Sequence, residues 1–195
     1  MGDISDLQTA LDWSIKGTET STGILELLEF TNELYKQFKM SGNMADLNTA
    51  VTLFREGIAE LPQGSENYAA VVNNLAFALS TQFKQGGEQS DLNEAISLYR
   101  EALELQLPPH PLRYGSLNNL ASALWTRFEQ GGQQSDLDEA ISLHRQALKL
   151  QLPPHPDRSG LLNNLATALS TQFKQGGQQS DLNEAISLHR QALML

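Results

Sequence analysis

Histidines and paired carboxylates are the residues whose types invite a chemical reading, and both recur at a fixed interval. His110 and His155 are 45 residues apart, as are His144 and His189. A metal site needs such side chains to converge in one coordination sphere. A strict interval deals them out one per repeat, although stacking of repeats brings His144 and His189 side by side. His144 and His189 also stand where an earlier copy carries Tyr99, so both are expected to pack as ring-bearing core residues. His110 and His155 lie in Pro-Pro-His-Pro and are expected to cap the helix that follows. The pairs Asp91/Glu94, Asp136/Glu139 and Asp181/Glu184 suit acid–base work. Their spacing is equally that of a capping box with Asp as the cap, and triplication at one phase favours capping. The Gly-Gly pairs lack the lysine and strand of a phosphate loop. There are no cysteines. No enzyme, cofactor or metal is expected.

The elements that position these residues come in repeated pairs. Asn73–His110 reads NNLAFALSTQFKQGGEQSDLNEAISLYREALELQLPPH, and close copies begin at Asn118 and Asn163, each 45 residues on. Two helical patterns per repeat at a strict period are the signature of a helical solenoid. In the first helix of the pair, helix A, Val72, Leu75, Ala76, Leu79 and Phe83 share one face. Gly86-Gly87 then closes the helix through a left-handed residue. In the second, helix B, the face to be buried is Leu92, Ala95, Ile96, Tyr99, Ala102 and Leu103. Pro111 and Pro156 suit the first turn of the next helix A. The repeats run 22–62, 66–107, 111–152 and 156–195, the last reading as truncated. A half repeat at 5–17 precedes them, with a lone B-type helix at Ser5–Lys16 whose Trp13 takes the place of Leu53. In the most diverged repeat, helix A spans Thr22–Met40 and helix B spans Asp46–Leu61.

Composition narrows the partners. The formal net charge is −10, with 40% hydrophobic and 18% charged residues. Nucleic acid is not expected, because its binding rests on Lys and Arg neutralising phosphates. A basic protein or peptide suits the acidic surface. Neither a leader pattern nor an apolar run of membrane-span length is present, so a cytoplasmic protein without membrane contact is expected.

The small residues carry a resemblance. Leu75-Ala76 and Leu79 in helix A, followed by Ala95-x3-Tyr99-x2-Ala102 in helix B, resemble the tetratricopeptide repeat. Ala140/His144/Ala147 and Ala185/His189/Ala192 repeat the second part with histidine as the ring. The usual unit has about 34 residues, so this one is longer by about 11. Leu117-Asn118-Asn119-Leu120-Ala121 and His155-Pro156-Asp157 are similar to the long-unit, kinesin-light-chain type. Near-identical long repeats also resemble fungal arrays joined to NTPase or caspase-like domains. The resemblance implies an all-α, right-handed solenoid of antiparallel helix pairs, with the half repeat followed by four repeats.

Comparing the repeats with one another marks a face for a ligand. They agree at the apolar stripe and differ at Phe77/Ser122/Thr167, Ser80/Trp125/Ser170 and Lys84/Glu129/Lys174. These positions share one helix face, opposite the stripe, and Asn73, Asn118 and Asn163 fall on it. The resemblance implies that this face lines a concave groove, to which the first repeat adds Asn32, Tyr35 and Lys39. The expected function is a protein- or peptide-binding scaffold, with an asparagine ladder for peptide backbone and aromatics for apolar anchors. The asparagines can instead bridge neighbouring A helices. The alternative is a structural or regulatory array of a larger multidomain protein. Its terminal helices would then self-associate, with Ile186, Leu188, Leu193 and Leu195 expected to lack a covering helix.

Overall fold

The computed structural model describes residues 21–151 and 155–194, and every described element is helical. The expected helix at Ser5–Lys16, with Trp13, lies outside the described residues. In chain order the helices are α1 (Ser21–Ser41), α2 (Met44–Glu60), α3 (Glu66–Lys84), α4 (Gln89–Leu105), α5 (Arg113–Glu129), α6 (Gln134–Leu150), α7 (Arg158–Lys174) and α8 (Gln179–Ala192). Odd-numbered helices are the A type and even-numbered ones the B type. No described helix is long and apolar enough to cross a membrane. The chain divides into two bodies, Met1–Leu105 and Gln106–Leu195.

In the first body, α3 packs between α2 and α4 and also touches α1. Val72, Leu75, Ala76 and Leu79 are buried, as the stripe requires, and so are Val71 and Ala78 beside it. Leu92, Ala95, Ile96, Tyr99 and Ala102 are buried on α4. In the second body, α5 pairs with α6, α6's outer face packs on α7, and α7 pairs with α8. One cluster there joins Leu137 and Ile141 of α6 to Leu162, Leu165, Ala166 and Leu169 of α7 and Ala185 and Leu188 of α8. Alanine at the crossings lets the helix axes approach, which a larger side chain would prevent.

The turns repeat as faithfully as the helices. Gly86 has φ 93°, and its N–H donates to Phe83 O while Gly87 N–H donates to Gln82 O at 3.0 Å. That is a Schellman closure, repeated at Gly131-Gly132 and Gly176-Gly177. The second glycine is required by space. A Cβ on Gly87 would lie 2.6 Å from Asp91 Oδ2 and 2.8 Å from Gln82 O.

Asp91 is close because its role differs from the expected one. Helix α4 starts at Gln89, two residues ahead of Asp91. The aspartate is therefore the third helical residue rather than the cap, and its carboxylate accepts from Glu88 N–H at 2.9 Å. Asp181 does the same for Gln178 N–H at 2.8 Å, as half of a capping box with Gln178. Glu94 and Glu184 are not box partners. Arg55 of α2 donates to Glu94 at 2.8 Å, and Arg145 of α6 donates to Glu184 at 2.7 Å. Each pair straps one B helix to the next.

Between helices B and A, the prolines lie just outside α5 and α7. Pro111 and Pro156 are the second residues of turns closed by Arg113 N–H to His110 O and Arg158 N–H to His155 O, at 3.2 and 3.1 Å. His110 Nδ1 accepts from Leu112 N–H and His155 Nδ1 from Asp157 N–H, each at 3.2 Å. The imidazoles thus close the turns ahead of the A helices rather than capping them as expected: the N-cap residues are Leu112 and Asp157, and neither helix start has a side-chain cap. The guanidiniums of Arg113 and Arg158 reach back to the final carbonyls of helix B, at Gln106 and at Leu148 and Gln151.

Candidate functional site

The face that varies between repeats is built by the second half of each A helix. In the first body, Tyr35 of α1 and Phe77 of α3 meet edge to face, with ring centroids 5.1 Å apart. That geometry suits the quadrupoles of both rings. Phe77 is 39% exposed, so the pair offers apolar surface to solvent. Lys39 and Lys84 are exposed beyond it, and Asn73 is half-buried. The Asn32 side chain lies outside the described residues.

Ser80 departs from the expectation. It is 8% exposed, because α3 has neighbours on both flanks and a short side chain at that position is covered by them. Its hydroxyl lies beside the buried phenol of Tyr99 without reaching good hydrogen-bond geometry. Burial pushes the Tyr99 phenol far above its ordinary range, and the Ser80 hydroxyl offsets part of that rise. Ser80 is core, not surface.

In the second body, a cleft of about 390 Å³ lies across α5, α7 and α8. Trp125 and Glu129 of α5 form one side; Thr167, Ser170, Thr171, Lys174 and Gln175 from α7 and its end, with His189 of α8, form the rest. The indole N–H of Trp125 donates to Thr171 Oγ1 at 3.2 Å, which holds the ring across the gap between α5 and α7. Thr167 Oγ1 donates to Asn163 O at 2.9 Å, so its hydroxyl faces the cleft chiefly as an acceptor. Ser122, on the same face of α5, is half-buried and donates to Asn118 O at 2.9 Å. Glu129 and Lys174 are exposed.

The asparagines do not pair with their own equivalents. Asn164 Nδ2 donates to Asn118 Oδ1 at 3.0 Å, tying α7 to α5. Asn163 Oδ1 lies 2.9 Å from His189 Nδ1, tying α7 to α8. Bridging of neighbouring helices, rather than a ladder of free amides, is what these residues do in this body.

Thr171, Gln175 and His189 line the cleft outside the face that the repeat comparison marks. Thr171 and Gln175 follow directly on Ser170 and Lys174, and the next angular position on a helix was available as a signal. His189, expected to pack in the core in the place of Tyr99, is instead exposed on α8, where no further helix covers it among the described residues.

One substitution specific to α5 fixes its end. Arg127 stands where the other repeats have Gln82 and Gln172. Its Nε and Nη2 donate to the two oxygens of Asp136, at 2.9 and 2.6 Å. Asp136 is buried, and this pairing holds the guanidinium above its ordinary pKa. By contrast, Gln82 donates to Asn48 Oδ1 at 2.7 Å. Arg127 therefore closes its own hairpin.

His144 occupies the ring position of α6, 2% exposed, and its Nδ1 has no partner among the described residues. Burial lowers its pKa from 6.5 to about 4, so the ring is neutral at pH 7. This is the packed role expected for it. Among the described residues, no group of histidine and carboxylate side chains is placed to hold a metal.

Comparison with known proteins places the fold. Residues 115–157 match the family model of the tetratricopeptide repeat. Among curated proteins, none matches the sequence. BtubC (BKLC) from P. vanneervenii superposes with a TM-score of 0.61 at 18% identity, covering 89% of this chain and 68% of that one. A Podosopora anserina putative kinesin light chain with nearly identical TPR-like repeats gives 0.56 at 17% identity, covering 99% and 97%. MamA gives 0.52 at 16% identity, covering 100% and 95%. At these identities the likeness is one of fold. The chain carries a tetratricopeptide repeat at 115–157, and its helix pairs have the all-α repeat fold of tetratricopeptide arrays.

Proposed function

We propose that the chain is a non-enzymatic scaffold that binds a protein or peptide segment, with the α5–α7–α8 cleft as its contact surface. Tetratricopeptide repeats typically mediate protein–protein interaction, which sets the class. The observation that carries the reading to this cleft is Trp125. A partly buried indole braced by Thr171 at the cleft wall is the kind of rigid aromatic on which interfaces concentrate their energy. Glu129, Thr167, Ser170 and Lys174 surround it, and all vary between repeats or flank positions that do. The aromatic pair Tyr35/Phe77 offers a second apolar contact on the first body. A net charge of −10 favours a basic partner over nucleic acid. A cytoplasmic location accords with this role.

The test uses random dodecapeptides displayed on phage and selected against the whole chain. Trp13 and Trp125 are its indoles, so a Trp13→Phe protein reports binding at the cleft through Trp125 emission. Selected peptides are expected to shift that emission and to lose affinity about tenfold or more on Trp125→Ala. Recovery of no peptide that distinguishes the parent from Trp125→Ala overturns the reading.

A second reading has its own support. Ile186 is 42% exposed on α8, with Leu193 and Met194 exposed after it, whereas Leu188 is buried against α7. That strip suits packing against a second copy of the chain, in a scaffold that self-associates within a larger assembly. Light scattering over a concentration series tests it, and a mass that stays monomeric throughout removes it.

A further inference from the structure

Helix α5 differs from its counterparts α3 and α7 in a way concentrated at one end. Over the last turns, α3 reads Ser80, Gln82, Lys84 and α7 reads Ser170, Gln172, Lys174, while α5 reads Trp125, Arg127, Glu129. Three changes within five residues reverse the charge at the rim, add an aromatic and add a cation behind it. The cation does not cancel the new acid. Arg127 turns its Nε/Nη2 edge to Asp136, a bidentate pair inside its own hairpin. Glu129 has no ion-pair partner among the described residues, and neither has Lys174 across the cleft. An unmatched carboxylate thus lies on the α5 side of Trp125 and an unmatched ammonium on the α7 side, in one cleft of about 390 Å³.

The geometry points to a partner segment with opposite charges on the two sides of an apolar or aromatic side chain. Its cation lies toward Glu129, its anion toward Lys174, and the group between them against Trp125. This deepens the peptide-binding reading and rests on it. The class of ligand is a short protein segment with this fixed charge order at the cleft, which a cleft flanked by lysines alone would not select. A segment with the reverse order brings like charges together at both rims, and discrimination of that kind is what charge placement at an interface provides.

The experiment repeats the peptide selection on three forms of the full chain: the parent, Glu129→Lys/Lys174→Glu, and Glu129→Lys alone. Each change installs a residue that another repeat carries at the same place, and both side chains are exposed, so the helices tolerate them. Circular dichroism checks this. Parent selections are expected to enrich one charge order around a central apolar residue, and the double swap to enrich the opposite order. Parent-selected peptides lose about threefold in affinity on Glu129→Lys and lose affinity as salt rises. Peptides that bind through Trp125 with no charge order, or with an order the double swap leaves unchanged, overturn this inference and leave the peptide-binding reading standing. Absence of any Trp125-dependent peptide overturns both.

Discussion

Helices α6 and α8 share the run Gln-Ser-Asp-Leu-(Asp/Asn)-Glu-Ala-Ile-Ser-Leu-His-Arg-Gln-Ala, yet their surroundings make different residues of them. Ile141 is 4% exposed on α6 and Ile186 is 42% exposed on α8. His144 is buried without a partner for Nδ1 among the described residues, and His189 is exposed and bonded to Asn163. Asp136 is diverted to Arg127, while Asp181 caps Gln178. The lesson is that a side chain's energy and protonation belong to its neighbours. Helix α7 covers the outer face of α6, and among the described residues nothing covers that of α8.

Paired substitutions break or sharpen this contrast, and the largest effect belongs to the isoleucines. Ile141→Ala should lower unfolding free energy by about 3–4 kcal/mol, through lost burial and a cavity against Leu162 and Leu165. Urea melts followed by circular dichroism measure it. A loss below about 1 kcal/mol would show that α7 does not seal that face.

Acid comes next. His144 has a folded pKa of about 4 against 6.5 unfolded, so the unfolded chain takes up its proton first. Its contribution is intact above about pH 6.5 and is lost as pH falls toward 4, by about 3 kcal/mol in all. His144→Phe should flatten that part of the pH–stability curve, whereas His189→Phe should leave it unchanged. Equal effects of the two would erase the distinction between the helices.

Smaller effects follow at the aspartates. Asp136→Asn should cost about 2 kcal/mol, since it weakens a bidentate pair to a partly buried guanidinium. Asp181→Asn weakens a helix cap and should cost about 1 kcal/mol or less. Melts of the two variants side by side decide the order. Ile186→Ala comes last, at under about 1 kcal/mol, because its side chain already meets solvent. A larger loss that grows with protein concentration would instead point to a second copy resting on α8.

Local signals were legible in the sequence, and long-range ones less so. The apolar stripes and the repeat register locate the helices closely: Thr22–Met40 is expected where α1 spans Ser21–Ser41, and Asp46–Leu61 where α2 spans Met44–Glu60. The aspartate role is ambiguous in the sequence because Asp-x-x-Glu and Glu/Gln-x-x-Asp overlap in the same run, and both describe plausible caps. Only the second leaves Gln89 helical. The true partner of Glu94, Arg55, is 39 residues away, a distance no helical periodicity contains. It was available from the repeat alone, since Arg145 and Glu184 keep the same separation. On the candidate surface, Phe77 and Trp125 are accessible as their variability suggests, but Ser80 is not. Angular position on a helix says nothing of how tall the neighbouring side chains are.

The arginine–glutamate straps have a mechanical consequence. Each joins consecutive B helices at an exposed site, where an ion pair contributes only about 0–1 kcal/mol and weakens in salt. Such a link adds little to whether the helices fold but resists their sliding apart at small displacement. The B-helix side of each body is therefore joined by a weak link whose strength is set by ionic strength. A change in electrolyte can then alter how far neighbouring hairpins flex without unfolding either of them.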